Sequence, residues 1–291
     1  MLGFIGRRIA FIVVVCVVII FLVNLGMSMA SNSQVANPDY GLVERSLRAW
    51  QETRAFIFGH KEVANAELLQ EAYVNSMGLM AVALTLAALV GLWIGGTAAL
   101  TKRKAVALPL LALTLIGIST PSFVAALLLQ MGELKYLDIF GRRLVSMAGF
   151  GWDFEHMLMP VLVLASLPLA YLTRAAFISL SHVMEEEYIR TAFSKGLSRR
   201  HTVNAHALRN IAIPVLTALG VSIRFALSTL PVVEFFFEWP GIGRRLLQAI
   251  DTRQTTTVVV LAAALGLTFL LINLALDVAY RIIDPRIGEA S

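Results

Sequence analysis

The sequence predicts an all-α integral membrane protein with six transmembrane helices and both termini in the cytosol, and three observations carry that reading. Hydrophobic residues make up 58% of the 291 residues, and the mean hydropathy is +0.76, well above what a soluble domain carries. Apolar segments of about 20 residues, the length that crosses a hydrocarbon core as helix, recur six times. The basic residues gather at the ends of alternate segments: Arg7-Arg8, Lys102-Arg103-Lys104, Arg199-Arg200, and Arg281 with Arg286. That is the positive-inside pattern. It accounts for the net charge of +5 and an isoelectric point near 9.6 without a nucleic acid or any other polyanionic partner.

Taken in order, the spans are expected at 9–30, 74–100, 105–131, 156–180, 210–236 and 257–281. The first follows Arg7-Arg8 and ends in Ser28-Met29-Ala30, which looks like a signal-peptide cleavage site. Its apolar core, however, exceeds the ~7–15 residues of a signal sequence, so a retained anchor is expected. Residues 31–73 fall outside, where Asp39, Glu44, Glu52, Glu62, Glu67 and Glu71 offset Arg45, Arg48, Arg54 and Lys61. The stretch 62–73 reads as a helix lying on the outer surface. Residues 1–73 therefore form an anchor plus an outer segment, 74–284 a five-helix membrane domain with a cytosolic loop at 181–209, and 285–291 a cytosolic tail.

Within the spans, Pro121, Pro160, Pro168, Pro214 and Pro231 mark kinks or helix ends, tolerated in a membrane where neighbours or a water-lined cavity satisfy the freed carbonyls. Gly91 and Gly95 form a close-packing face on the second span, expected to pack within the subunit. Arg174 stands six residues before Leu180, about 9 Å along a helix, so its side chain reaches the cytosolic interface.

Catalytic patterns are missing. No Gly-x-x-x-x-Gly-Lys-Ser/Thr, His-Glu-x-x-His or Gly-x-Ser-x-Gly occurs, so the chain by itself offers no phosphate cradle, zinc-protease helix or nucleophile elbow. Gly241-x-Gly243 lacks the preceding strand that a dinucleotide site needs. The five histidines show no ligand spacing. Cys16 is the single cysteine, which excludes an intrachain disulfide and a cysteine-based metal site. Polar groups inside the spans are few: Asn24, Gln130, Arg174, Arg224, Glu234, Asn273 and Asp277. Glu234 and Asp277 sit near opposite ends of their spans, and an ion-coupled carrier would place acids near the midplane. An external energy source is favoured over a self-sufficient secondary transporter or channel.

The segment 184–197 points the same way. Met184, Tyr188, Ile189, Ala192 and Phe193 cluster on one helical face, with Glu186, Glu187, Arg190 and Ser194 opposite. Gly196 suits a left-handed helix stop, and Ser198 is placed to cap a second helix. Glu185-Glu186-Glu187 would be repelled by an anionic inner leaflet, so a protein groove fits this helix better than a lipid surface.

Glu187-Tyr188-Ile189-Arg190-Thr191-Ala192 through Lys195-Gly196-Leu197-Ser198, then His206-Ala207-Leu208-Arg209-Asn210 and Ile213-Pro214-Val215-Leu216-Thr217, resembles the coupling loop of oligopeptide/dipeptide-type permease subunits of ATP-binding-cassette (ABC) importers. The resemblance extends to Leu172-Thr173-Arg174-Ala175, Ser119-Thr120-Pro121-Ser122-Phe123, Val232-Val233-Glu234, Trp239-Pro240-Gly241-Ile242-Gly243-Arg244, and Asn273-Leu274-Ala275-Leu276-Asp277 ending in Asp284-Pro285-Arg286. It covers about 74–287. The segment 31–73 departs from the family pattern, as do Arg224 and Ser228-Thr229-Leu230-Pro231 in the fifth span.

What the resemblance implies is a type I importer-like permease in the plasma (inner) membrane. It would pair with a second permease of the same type, two cytosolic ABC ATPases and an extracytoplasmic substrate-binding protein, and carry peptides or a related small solute. ATP and magnesium would be bound by the partner ATPases, with no cofactor and no catalysis in this chain. Glu187, Tyr188, Ile189, Arg190, Ala192, Phe193, Lys195, Gly196 and Leu197 would meet an ATPase. Ser119, Ser122, Arg224, Ser228 and Glu234 are candidates for the translocation path. Arg224 reads either as a contact for an anionic substrate group or as half of a static ion pair with the partner permease. Trp239, Pro240 and Gly241 read either as an outer gate or binding-protein contact, or as an interfacial anchor with a re-entrant turn.

Overall fold

The computed structural model describes residues 2–30, 41–59, 66–101 and 104–283. Asp39, Lys61, Glu62, Lys102, Arg103, Arg286 and the tail 285–291 lie outside the described residues. Every regular element among the described residues is helical. In chain order they are α1 (Leu2–Ala30), α2 (Leu42–Ile57), α3 (Ala66–Leu100), α4 (Lys104–Ser119), α5 (Ser122–Phe140), α6 (Phe154–Glu185), α7 (Glu187–Ser194), α8 (Arg199–Thr202), a π turn (Val203–Ala207), α9 (Leu208–Asn210), α10 (Ala212–Phe236), α11 (Ile242–Asp251) and α12 (Thr255–Ile283).

Five helices are long and apolar enough to cross a membrane, or six when the bent pair α4–α5 counts as one span. That pair corrects the expected continuous span at 105–131: α4 and α5 meet at a bend of 108°. The cause is local. Pro121 has no N–H to donate, and its ring pushes Thr120 out of the helical region. The carbonyl of Pro121 then starts α5 by accepting from Ala125 N at 3.0 Å. Pro160 and Pro168, by contrast, sit inside the unbroken α6, and Pro231 inside α10. The expected surface helix at 62–73 is corrected as well, since from Ala66 onward it is the first part of the 35-residue α3. At ~1.5 Å per residue α3 is about 52 Å long, well beyond a ~30 Å hydrocarbon core.

Contacts divide the chain into two compact units. The first comprises Met1–Ser76 with Pro240–Ala275. There α2 packs on α1: Trp50 meets Phe21 edge-on at 6.3 Å between ring centres. Asn24 Nδ2 donates to the buried Thr53 hydroxyl at 3.3 Å, which gives this intramembrane asparagine a structural partner. In the same unit the hydroxyls of Tyr73 and Thr268 bond at 2.8 Å, and Ser76 Oγ accepts from Ile242 N at 2.7 Å, seating the start of α11.

The second unit comprises Met77–Trp239 with Leu276–Ser291. There α6 packs against α10, with α4 on α6 and α5 on α10. Gly91 and Gly95 pack against α6 in the same subunit. A Cβ on Gly91 would stand 2.8 Å from the Leu169 carbonyl oxygen, and one on Gly95 would collide with the Thr173 carbonyl. Small residues let the two backbones approach, because dispersion between close helices replaces the hydrophobic drive missing in lipid. α6 is started by Asp153, whose carboxylate accepts from His156 N at 3.0 Å. The hydrogen bond with the His156 ring, and then this backbone bond, hold the Asp153 carboxyl below its usual range.

Candidate functional site

The loop between α6 and α10 packs on the ends of α3, α6 and α10. α6 stops at Glu185, Glu186 takes an extended conformation, and α7 begins at Glu187. Glu186 O accepts from Ile189 N at 3.1 Å and Arg190 N at 3.2 Å, so one carbonyl closes the first turn of α7. At the other end Gly196 has φ +82°. There Gly196 N bonds Phe193 O at 2.9 Å, and Leu197 N bonds Ala192 O at 3.2 Å. This is the paired Schellman closure, in which a glycine takes the left-handed position at least steric cost. Ser198 caps α8 as expected, its hydroxyl accepting from His201 N at 3.3 Å. The Arg199 guanidinium donates to the carbonyl of Leu100 at the end of α3.

The apolar face of α7 is divided between the chain itself and the exterior. Ile189 (0% exposed) and Ala207 lie in a cluster with Leu180 and Ile211, and Met184 packs against it; Ala192 is buried too. Tyr188, Phe193 and Leu197 remain 42%, 40% and 37% exposed. Asn210 Nδ2 donates to Tyr188 Oη at 3.0 Å, which orients that ring. The sequence grouping of Met184, Tyr188, Ile189, Ala192 and Phe193 as one face is thus split. Ile189 and Ala192 anchor α7 to the membrane domain, and Tyr188, Phe193 and Leu197 point away from it. Helical periodicity identifies an apolar face but not which half of it the same chain covers. Glu187, Arg190, Lys195 and Gly196 are all exposed around these three side chains.

The candidates inside the membrane are not gathered at one point. On α10, Thr217, Arg224 and Ser228 are exposed and share one stripe, being spaced seven and four residues apart. A polar stripe of this kind on an apolar span disfavours lipid and suits a cavity or another subunit. Glu234, a turn and a half beyond Ser228, is fully buried. Ser119 is exposed and Ser122 half-buried, one on each side of the α4–α5 bend.

At the far end of α10, Trp239 is fully buried, its ring 5.0 Å from Phe150 and 5.3 Å from Trp152 between centres. Gly241 is buried and Pro240 half-buried, so of the three outer candidates only Pro240 reaches the surface. A brace that sequence reasoning missed holds the loop before α6. Glu133, 4% exposed, accepts from Leu144 N at 2.7 Å and Val145 N at 3.3 Å. Gln130, one turn earlier on α5, donates to Met147 O and Phe236 O at 3.0 Å each. The available signal was their three-residue spacing at the end of an apolar run. Gln130 was recognised as an intramembrane polar residue, and Glu133 was passed over.

This geometry describes a class: a polytopic, all-helical membrane component with a short helix, α7, held to its core on one side and exposed on the other. The family described as "Binding-protein-dependent transport system inner membrane component" matches residues 74–289. The chain is 31% identical over 230 residues to the dipeptide transport system permease protein DppB of Escherichia coli (strain K12), covering 70% of this chain and 68% of that one. It is 33% identical over 223 residues to the glutathione transport system permease protein GsiC of Salmonella typhi, covering 76% and 71%. Among solved structures, the crystal structure of an amino acid ABC transporter with histidines superposes with a TM-score of 0.56 at 19% identity, covering 74% of this chain and 94% of that one. That likeness concerns the fold alone.

The chain belongs to the family of binding-protein-dependent transport system inner membrane components. It is a multi-pass inner-membrane permease of the type I importer-like fold, a non-catalytic subunit that works with partner subunits.

Proposed function

We propose that this permease forms half of the path by which peptides or a related small solute enter the cell, driven by ATP hydrolysed in partner subunits. The observation that carries the reading is that Tyr188 and Phe193 on α7, with Leu197 just past its end, are exposed, while the other apolar residues of that helix are buried against the subunit itself. A helix anchored in this way transmits force: a partner gripping Phe193 moves α6 and α10 through Ile189, Leu180 and Ile211. Closure of two cytosolic ATPases, each holding ATP and magnesium, then switches the membrane helices between two arrangements as rigid bodies. The complex comprises this chain, a second permease of the same type, the two ATPases and an extracytoplasmic binding protein. In it residues 1–73 serve as anchor and outer segment, and both termini, including the tail 285–291, are cytosolic.

Along the path, Arg224 and Ser228 meet the solute and Ser119 and Ser122 line the bend of the third span, while buried Glu234 supports the far end of α10. Named relatives handle dipeptides and glutathione, which carry carboxylates that a guanidinium binds with charge-assisted hydrogen bonds. Pro240, the half-buried member of the three outer candidates, is the contact point for the outer gate or the delivering protein.

Phe193→Asp tests the coupling. In the reconstituted complex, uptake should fall about tenfold or more, as for a central interface anchor, while insertion and permease pairing persist. Full uptake with substrate-stimulated hydrolysis in this variant would refute the docking role.

A further inference from the structure

The first compact unit holds a half-open cavity of about 490 Å³ lined by Leu68, Leu69, Arg245, Gln248, Thr252 and Gln254, with Ala249 and Thr257. Its size lies within the ~300–1,000 Å³ of small-molecule sites. Arg245 lines it, and the Nε of that side chain is buried with no hydrogen-bond partner. A guanidinium N–H withdrawn from water and left unmatched is an unfavourable arrangement that an acceptor would relieve. No carboxylate is among the described lining residues, so the positive charge is not answered from within the cavity. The two glutamines add amide groups, and Leu68 and Leu69 add an apolar edge.

Position narrows the class of ligand. The cavity lies where two spans leave the bilayer. Leu68 is six residues, about 9 Å of helix rise, before the apolar run that begins at Val74. Thr257 directly precedes the apolar run of α12. A headgroup layer is ~5–8 Å thick on each side of the hydrocarbon core, so the cavity occupies the depth of lipid phosphates.

We propose that the α3–α11–α12 cavity is a binding site for the head group of an anionic phospholipid, its phosphate taken by Arg245 and its polar remainder by Gln248 and Gln254. The site is independent of the transported solute and of which face of the membrane it occupies.

The test uses the complete transporter purified in detergent, stripped of lipid and supplied with phosphatidylglycerol, phosphatidylcholine or inorganic phosphate. Retained lipid is counted by native mass spectrometry. Wild type should retain phosphatidylglycerol over phosphatidylcholine by about fivefold, the worth of one arginine facing an anionic head group. Arg245→Gln should abolish that preference and Arg245→Lys should keep part of it. Should Arg245→Gln fail to assemble, Gln248→Leu combined with Thr257→Val must lower the same ratio. Equal retention of the two lipids by wild type, or an unchanged preference in these variants, overturns the site. Displacement of phosphatidylglycerol by millimolar inorganic phosphate assigns the cavity to a free anion and overturns the lipid.

Discussion

Single residues here act mainly through backbone geometry and unmatched polar atoms. Gly196, at φ +82°, closes α7, and a β-branched residue in that left-handed position costs ~1–2 kcal/mol. Gly196→Val should therefore loosen the end of α7, and limited proteolysis after Lys195 should rise relative to wild type at equal expression. Thr173 presents the opposite case. Its hydroxyl is fully buried with no partner, so Thr173→Val removes an unmet polar group and keeps the shape. That variant should match or exceed wild-type thermal stability, by up to ~1–3 kcal/mol. A clear drop in melting temperature would mean that the hydroxyl has a role.

At the scale of elements, the α5 brace is the most exposed to challenge. Glu133→Leu leaves the amides of Leu144 and Val145 unpaired at a cost of about 1–3 kcal/mol, so a cysteine placed at Ser146 should react with a thiol reagent faster in that background. Arg224→Gln probes the stripe on α10. Loss of uptake with an intact complex supports contact with solute, whereas a complex that dissociates assigns Arg224 to a pairing between permeases. Both variants also separate path from scaffold, because the Glu133 bonds lie within the chain and the Arg224 stripe lies on its surface.

The whole chain has a testable orientation. In a Cys16→Ser background, a cysteine at Asp251 should label with an impermeant maleimide added outside, and one at Lys195 should not; both positions are exposed. Reversed labelling would overturn the assignment of the basic clusters to the cytosol. Reconstituted alone, the permease should neither transport nor hydrolyse ATP. Transport by the lone chain would instead mark a self-sufficient carrier.

The sequence alone determined the helical membrane class, the short amphipathic helix closed by Gly196, and the family, because each depends on local quantities. Twenty apolar residues, a row of arginines, or Gly196 followed by Ser198 act within a few turns of helix. It also placed the Gly91/Gly95 face against the same subunit. Tertiary structure alone decided which side of α7 remains available, because Ile189 is covered by Leu180, Ala207 and Ile211, residues distant in sequence or beyond a turn. It decided that Trp239 is a core residue, since the aromatic partners Phe150 and Trp152 arrive from another loop. It also decided that Pro121 breaks its span where Pro160, Pro168 and Pro231 do not. A proline always removes one hydrogen bond, but whether the helix survives depends on how the neighbouring helices hold it.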